Sequence, residues 1–99
     1  MVNIREATLN DLSFLLELEE KCFEETRRFN SAAFKRAIIS PHQDVYVVTN
    51  DGVNCGSAII HRHAQSWRLY SISIAPDQRK LGLGKQLLQF IFRFSILFI

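Results

Sequence analysis

Ser71-Ile72-Ser73-Ile74-Ala75-Pro76-Asp77-Gln78-Arg79-Lys80-Leu81-Gly82-Leu83-Gly84-Lys85 is the stretch that decides the fold. It reads as alternating β-formers, a proline that stops the strand, a basic turn spaced by two glycines, and the opening of an amphipathic helix. The first amides of a helix have no acceptor within it, and the helix dipole puts its positive end there. The turn is therefore a place for an anion, phosphate above all.

Upstream of this stretch the chain supplies a sheet and two helices. Val2 to Ala7 predicts a short strand. Thr8 and Asp11 form a capping pair, a hydroxyl for the exposed amides and a carboxylate in the positive first turn. The helix they open carries Leu12, Leu15, Leu16, Leu18, Cys22 and Phe23 at helical spacing, with Glu17, Glu19, Glu20 and Lys21 on its wet face. Glu24-Glu25-Thr26-Arg27-Arg28 reads as a solvated connection. Asn30 or Ser31 then caps a second helix through Phe34, Ala37 and Ile38, which cannot continue past Pro41. Asp44 to Thr49 is rich in β-formers, and Asn50-Asp51-Gly52 predicts a hairpin, because the turn needs positive φ. The returning strand runs from Asn54 to His63, with Gly56 marking a bulge. After a turn at Gln65-Ser66, Trp67 to Ala75 is the next strand. Leu83, Leu87, Leu88 and Ile91 give the last helix its inward stripe. The order β-α-α-β-β-β-α, an antiparallel meander flanked by helices, makes the chain α+β.

Ninety-nine residues, 47% hydrophobic and carrying a net charge of +2, make a single globular domain. That charge is too small for a nucleic-acid footprint, and a basic RNA-binding module would also need aromatics interleaved on a basic strand. Arg79, Lys80 and Lys85 cluster at the glycine turn, which suits a small anionic ligand. Cys22 and Cys55 match no metal spacing and read as free thiols of a reducing, cytoplasmic compartment. The N-terminus has no apolar signal region, and the apolar run Phe90 to Ile99 is too short to span a bilayer.

Two phosphate-binding patterns fail here. A nucleotide P-loop needs Ser or Thr after Gly-Lys, where Gln86 stands, and a dinucleotide fingerprint needs a third glycine where Leu87 stands. A third pattern, Arg/Gln-x-x-Gly-x-Gly/Ala after a strand, is met by Arg79-Lys80-Leu81-Gly82-Leu83-Gly84. With it, with the Thr8-x-x-Asp11-Leu12 helix start and with this order of elements, nearly the whole chain resembles the GNAT superfamily of N-acetyltransferases.

That resemblance implies a GNAT-like mixed sheet, acetyl-CoA as co-substrate and no metal. It implies that the coenzyme pyrophosphate meets Arg79, Lys80, Leu81, Gly82, Leu83, Gly84 and Lys85, with the backbone of Ile72, Ser73 and Ile74 offered to the pantetheine arm. The acceptor would be a primary amine, of a protein or of a small molecule. Family members often place a base carboxylate on the fourth or fifth strand and a tyrosine near the C-terminal helix. Here the fourth strand offers Arg68, Tyr70, Ser71 and Ser73 but no carboxylate, so the catalytic residues stay unassigned. His61 and His63 alternate onto one face and read as surface histidines, with His42 not evidently near. Glu24 and Glu25 could meet a substrate amine but read better as solvated charge. Trp67 and the phenylalanines read as core.

Against the family pattern, residues 1–99 form one incomplete domain that lacks the closing C-terminal strands and helix. The expectation is a C-terminally truncated chain, through a truncated gene, a frameshift or a splice end. Alternatively the apolar tail serves as an interface in a homo- or hetero-oligomer. Two functions stay open: acetyl transfer to an amine, or a non-catalytic remnant that binds coenzyme A weakly or joins a partner chain.

Overall fold

A run of apolar residues in every strand position of residues 45–48 and 58–60 demands cover on both sides of the sheet, and the chain provides it. The computed structural model describes residues 1–64 and 66–97, the side chains at 80, 81 and 94–97 excepted. The elements are β1 (Val2–Glu6), α1 (Leu12–Cys22), α2 (Ser31–Ile39), β2 (Gln43–Asn50), β3 (Val53–His63), β4 (Ser66–Ile74) and α3 (Leu83–Leu97). The order is the one the sequence predicts. The strands lie side by side as β1-β2-β3-β4 with every described pair antiparallel, so the parallel pairing of a mixed sheet does not occur among the described strands.

Side-chain alternation splits the core in two. Val45, Val47 and Ile59 point to one face, where they pack with Leu15 of α1 and with Phe34 and Ala37 of α2. Tyr46, Val48, Ala58 and Ile60 point to the other and meet Leu83, Leu87 and Ile91 of α3. Trp67 and Phe90 pack against this second cluster and Phe29 against the first, as core-forming aromatics, but Phe92, also read as core, is exposed, because it follows Ile91 of the inward stripe by one position and faces away.

Local chemistry fixes the ends of these elements. The Asp51-Gly52 turn takes φ of 51° and 82°, the pair of positive values that a two-residue hairpin turn requires. Thr8 and Asp11 close the predicted capping box, but around a short 3-10 turn (Leu9–Asp11) that leads into α1. Asp11 is also the anchor of β1. Arg5 Nη1 and Nη2 donate to its two carboxylate oxygens at 2.8 Å each, and the Thr8 N–H donates at 2.8 Å. The Arg5 fork, with the Thr8 bonds, holds the Asp11 carboxyl down at about 2. The Asn30 side chain accepts from the Ala33 N–H at 2.8 Å and starts α2. Pro76 ends β4 as predicted, and a 3-10 turn (Pro76–Leu81) carries the chain to α3.

Candidate functional site

β4 is the last strand of the described sheet, so its outer edge has no strand partner among the described residues. Gly56 lets β4 come close. A Cβ there would stand 2.5 Å from Ile74 Cδ1 and 2.9 Å from the Ser73 carbonyl oxygen. The β2–β3 register break falls beside it, with Cys55 the extra residue between Asn54 and Gly56. The β3–β4 register breaks as well, since Ile59 pairs with Ser71 and Ile60 with Leu69, leaving Tyr70 as a bulge. The bulge turns Tyr70 onto the α1/α2 face, where its ring stacks on His61 (centroids 4.6 Å apart, 13° between planes) and tilts against Phe29 at 5.4 Å.

Beyond the bulge, Ile72, Ser73 and Ile74 form one side of a groove of about 380 Å³. Arg79, Gly84 and Leu88 continue it on the α3 side, and Cys22 and Phe23 close it from the end of α1. The Ile74 carbonyl ties the walls together. It accepts from Arg79 Nε at 3.0 Å and from Cys22 Sγ at 3.5 Å, while Arg79 Nη2 lies 3.6 Å from that sulfur. A ligand extended along β4 would thus lean on Ile72 and Ser73, because the Ile74 carbonyl is already engaged.

Gly82 sits in the left-handed region at φ 71°, a conformation that glycine adopts without strain, and turns the chain from the 3-10 turn into α3. The α-helical ladder begins with Gln86 N–H donating to the Gly82 carbonyl at 3.2 Å, so the amides of Leu83, Gly84 and Lys85 precede it. At Gly84 a Cβ would meet only Ile74 Cγ1, at 3.8 Å. The protein itself therefore does not need a glycine at 84, and the space is left to whatever occupies the groove.

Of the residues the sequence assigned to the coenzyme, the structure brings Ile72, Ser73, Ile74, Arg79 and Gly84 to this one groove, with Gly82 and the exposed Lys85 adjoining. The Leu83 side chain is fully buried in the core, which leaves only its backbone for a ligand. The side chains of Lys80 and Leu81 lie outside the described residues, as does much of the apolar tail proposed as an interface.

Three readings need correction. Glu19, placed on the wet face, is 5% exposed, because it shares the inward i, i+4, i+7 stripe of α1 with Leu15 and Cys22. Burial pushes its carboxyl up, against the Phe29 backbone hydrogen bond and the charge of Arg28. Leu88 is turned from the core stripe into the groove. His42 lies beside His61 and His63 after all, its carbonyl accepting from the Arg62 N–H at 2.7 Å and all three histidines lining one depression. The described residues nevertheless hold no group of three or more metal-ligating side chains able to bind an ion. The run from Glu24 to Arg28 is exposed, yet Arg28 folds back to cap α1, donating to the Phe23 carbonyl at 2.9 Å and the Glu20 carbonyl at 3.3 Å. No described helix is long and apolar enough to cross a membrane.

Comparison with known proteins bears on this geometry. The family described as "Acetyltransferase (GNAT) domain" matches residues 41–97, more than half of the chain, including β4, the glycine turn and α3. No curated protein sequence matches. Among solved structures, the chain is similar to the ribosomal-protein-S18-alanine N-acetyltransferase from Escherichia coli, at 20% identity and a TM-score of 0.83 over 96% of this chain and 59% of that one. It is similar to the PaiA N-acetyltransferase from Thermoplasma acidophilum in complex with coenzyme A, at 15% identity and a TM-score of 0.84 over 96% of this chain and 72% of that one. The loading GNATL domain of CurA from Lyngbya majuscula aligns at 20% identity and a TM-score of 0.82, over 95% of this chain and 58% of that one. The chain thus spans about 59% of the length of the first of these relatives.

Proposed function

This chain belongs to the acetyltransferase (GNAT) family, and on that premise we propose that it binds acetyl-CoA in the β4–α3 groove and passes the acetyl group to a primary amine. The observation that carries the reading is the continuity of the groove, from the edge of β4 at Ile72 and Ser73, which no described strand pairs, to the start of α3 at Gly84.

That continuity matches two chemistries in one ligand. The amides of residues 83–85 with Lys85 suit a pyrophosphate, whose charge the helix start favours. An extended amide-bearing arm suits the edge of a strand, where backbone groups await partners. Arg79 is held in place by Ile74 and Cys22, so its positive charge is positioned before any ligand arrives. When bound, acetyl-CoA supplies an activated acyl group, and the acceptor must arrive as the neutral amine. An α-amino group, with a reference pKa of about 7.7–8.0, is far nearer to that state at neutral pH than a lysine side chain at about 10.4. The acceptor proposed is a protein amino group or a small amine.

Calorimetry of the 99-residue chain with acetyl-CoA tests the binding half. Saturable binding is expected, and Gly82→Glu with Gly84→Glu should abolish it by placing two carboxylates where the phosphates rest. Release of free coenzyme thiol in the presence of a panel of peptide α-amines and small primary amines tests the transfer half. Binding with no turnover on that panel would reduce the chain to a coenzyme-binding or partner-binding remnant.

A further inference from the structure

We propose that Glu19 takes the proton from the acceptor amine. The assignment rests on the acetyl-transfer reading above. Two neighbours on its stripe of α1 locate it. Leu15 packs with Ile59, the β3 partner of Ser71, and Cys22 Sγ reaches the Ile74 carbonyl. Glu19, one turn from each, therefore stands over the part of β4 between the Tyr70 bulge and the groove.

Its carboxylate is 5% exposed in residue terms, and Oε2 has no hydrogen-bond partner. A buried carboxylate oxygen without a partner is costly, and nothing in the described fold uses it. Glu19 does not itself line the groove, whose lining on α1 is Cys22, one turn away; an ammonium that passes Cys22 to reach Oε2 would supply the missing donor. β4 carries no carboxylate of its own, so α1 is where the chain brings one to this strand.

The charged group facing Glu19 is Arg28, already bonded to two backbone carbonyls of α1 and the residue after it. Along residues 55–60 and 69–74 the titratable side chains are Tyr70 and, on the far face, Cys55. Burial raises the Glu19 carboxyl above the ordinary range, which brings a base closer to working pH. In the step proposed, Oε2 accepts one proton from the ammonium. The neutral nitrogen forms the C–N bond to the acetyl carbon as the C–S bond breaks. The second proton leaving nitrogen goes to sulfur, and Glu19 returns its own proton to water.

Glu19→Gln in the full chain keeps the shape and an acceptor for the Phe29 N–H but cannot take a proton. The expected result is an unchanged melting curve, acetyl-CoA affinity within about twofold, and amine turnover reduced about 100-fold or more. Glu19→Asp should recover part of the loss. Turnover of Glu19→Gln at the wild-type rate overturns the assignment and leaves the acetyl-transfer reading standing. Loss of melting temperature and of acetyl-CoA binding together also overturns it, by showing that Glu19 is structural. A wild-type chain that binds acetyl-CoA but acetylates nothing overturns both. Carbon NMR gives a readout apart from activity: the side-chain signal missing in Glu19→Gln should titrate above the ordinary glutamate range, and an ordinary midpoint overturns the assignment.

Discussion

Replacing Gly84 with alanine separates what the fold requires from what a phosphate requires. The backbone at 84 is not left-handed, and the new methyl meets only Ile74 Cγ1, at 3.8 Å. In a helix, alanine is favoured over glycine by about 0.5–1 kcal/mol. For a chain of this length each kcal/mol shifts Tm by about 4–8 °C. Without ligand, Gly84→Ala should therefore melt about 2–8 °C higher than the wild type. The same methyl is added to a residue that lines the groove beside Ile74, where the proposed pyrophosphate approaches the amides of residues 83–85. Losing one hydrogen bond between an amide and a charged oxygen costs about 1.5–3 kcal/mol, which is about 10- to 150-fold in Kd. Thermal melts without ligand and calorimetry with acetyl-CoA give the two numbers on one variant. A more stable protein with an unchanged Kd would refute the placement of the pyrophosphate at Gly84. A lower Tm would refute the packing argument itself. Gly82→Ala is the control in the opposite sense, since at φ 71° alanine is strained; it should lower Tm, at a cost of about 1–2 kcal/mol.

Two further outcomes concern the frame that holds the groove. The Asp11 carboxyl lies at about 2 in the folded chain against an ordinary 3.8, so the unfolded chain binds the proton more readily. Its contribution, about 2 kcal/mol, is complete above about pH 4–5 and is lost as pH falls toward 2. Urea midpoints between pH 6 and pH 2 should show this decline, Asp11→Asn should flatten it, and a wild-type profile already flat would contradict the Arg5–Asp11 fork. Gly56→Ala must push β4 away, because its Cβ would stand 2.5 Å from Ile74 Cδ1 and 2.9 Å from the Ser73 carbonyl oxygen. A loss of about 1–3 kcal/mol together with weaker acetyl-CoA binding is expected, and a neutral substitution would show that β3 and β4 are not held that close.

What the sequence revealed was whatever a local rule controls. Asp51-Gly52 needs positive φ, Thr8 and Asp11 need each other, and Pro76 cannot continue a ladder, so these boundaries could be placed without a structure. The α3 end of the groove was legible for the same reason, because a helix start and its glycines are contiguous in the chain. The α1 end was not. Cys22, Phe23 and Leu88 reach the groove only through packing, and His42 meets His61 and His63 only because β2 and β3 pair. The Tyr70 bulge is set by register against β3, which no single strand encodes. Glu19 is a different case. Its spacing from Leu15 and Cys22 put it on the inward stripe, but a glutamate among Glu17, Glu20 and Lys21 looked like one more solvated charge.

The two faces of the sheet divide the proposed work between them, and the division explains why β4 alone is not enough. α3 lies on one face and brings amides and a lysine to the edge of β4, a setting for anions. α1 lies on the other and brings Cys22, Phe23 and the stripe that contains Glu19, the side proposed for a cationic acceptor. The Ile74 carbonyl, bonded at once to Arg79 and Cys22, ties the turn before α3 to the end of α1 across that edge. A substitution on the α3 side should therefore act on coenzyme affinity, and one at Glu19 on turnover. Each should leave the other quantity nearly unchanged, since the groups do not share a partner. A double variant, Gly84→Ala with Glu19→Gln, should show the two losses adding, and strong coupling between them would mean that a single ligand group contacts both sites.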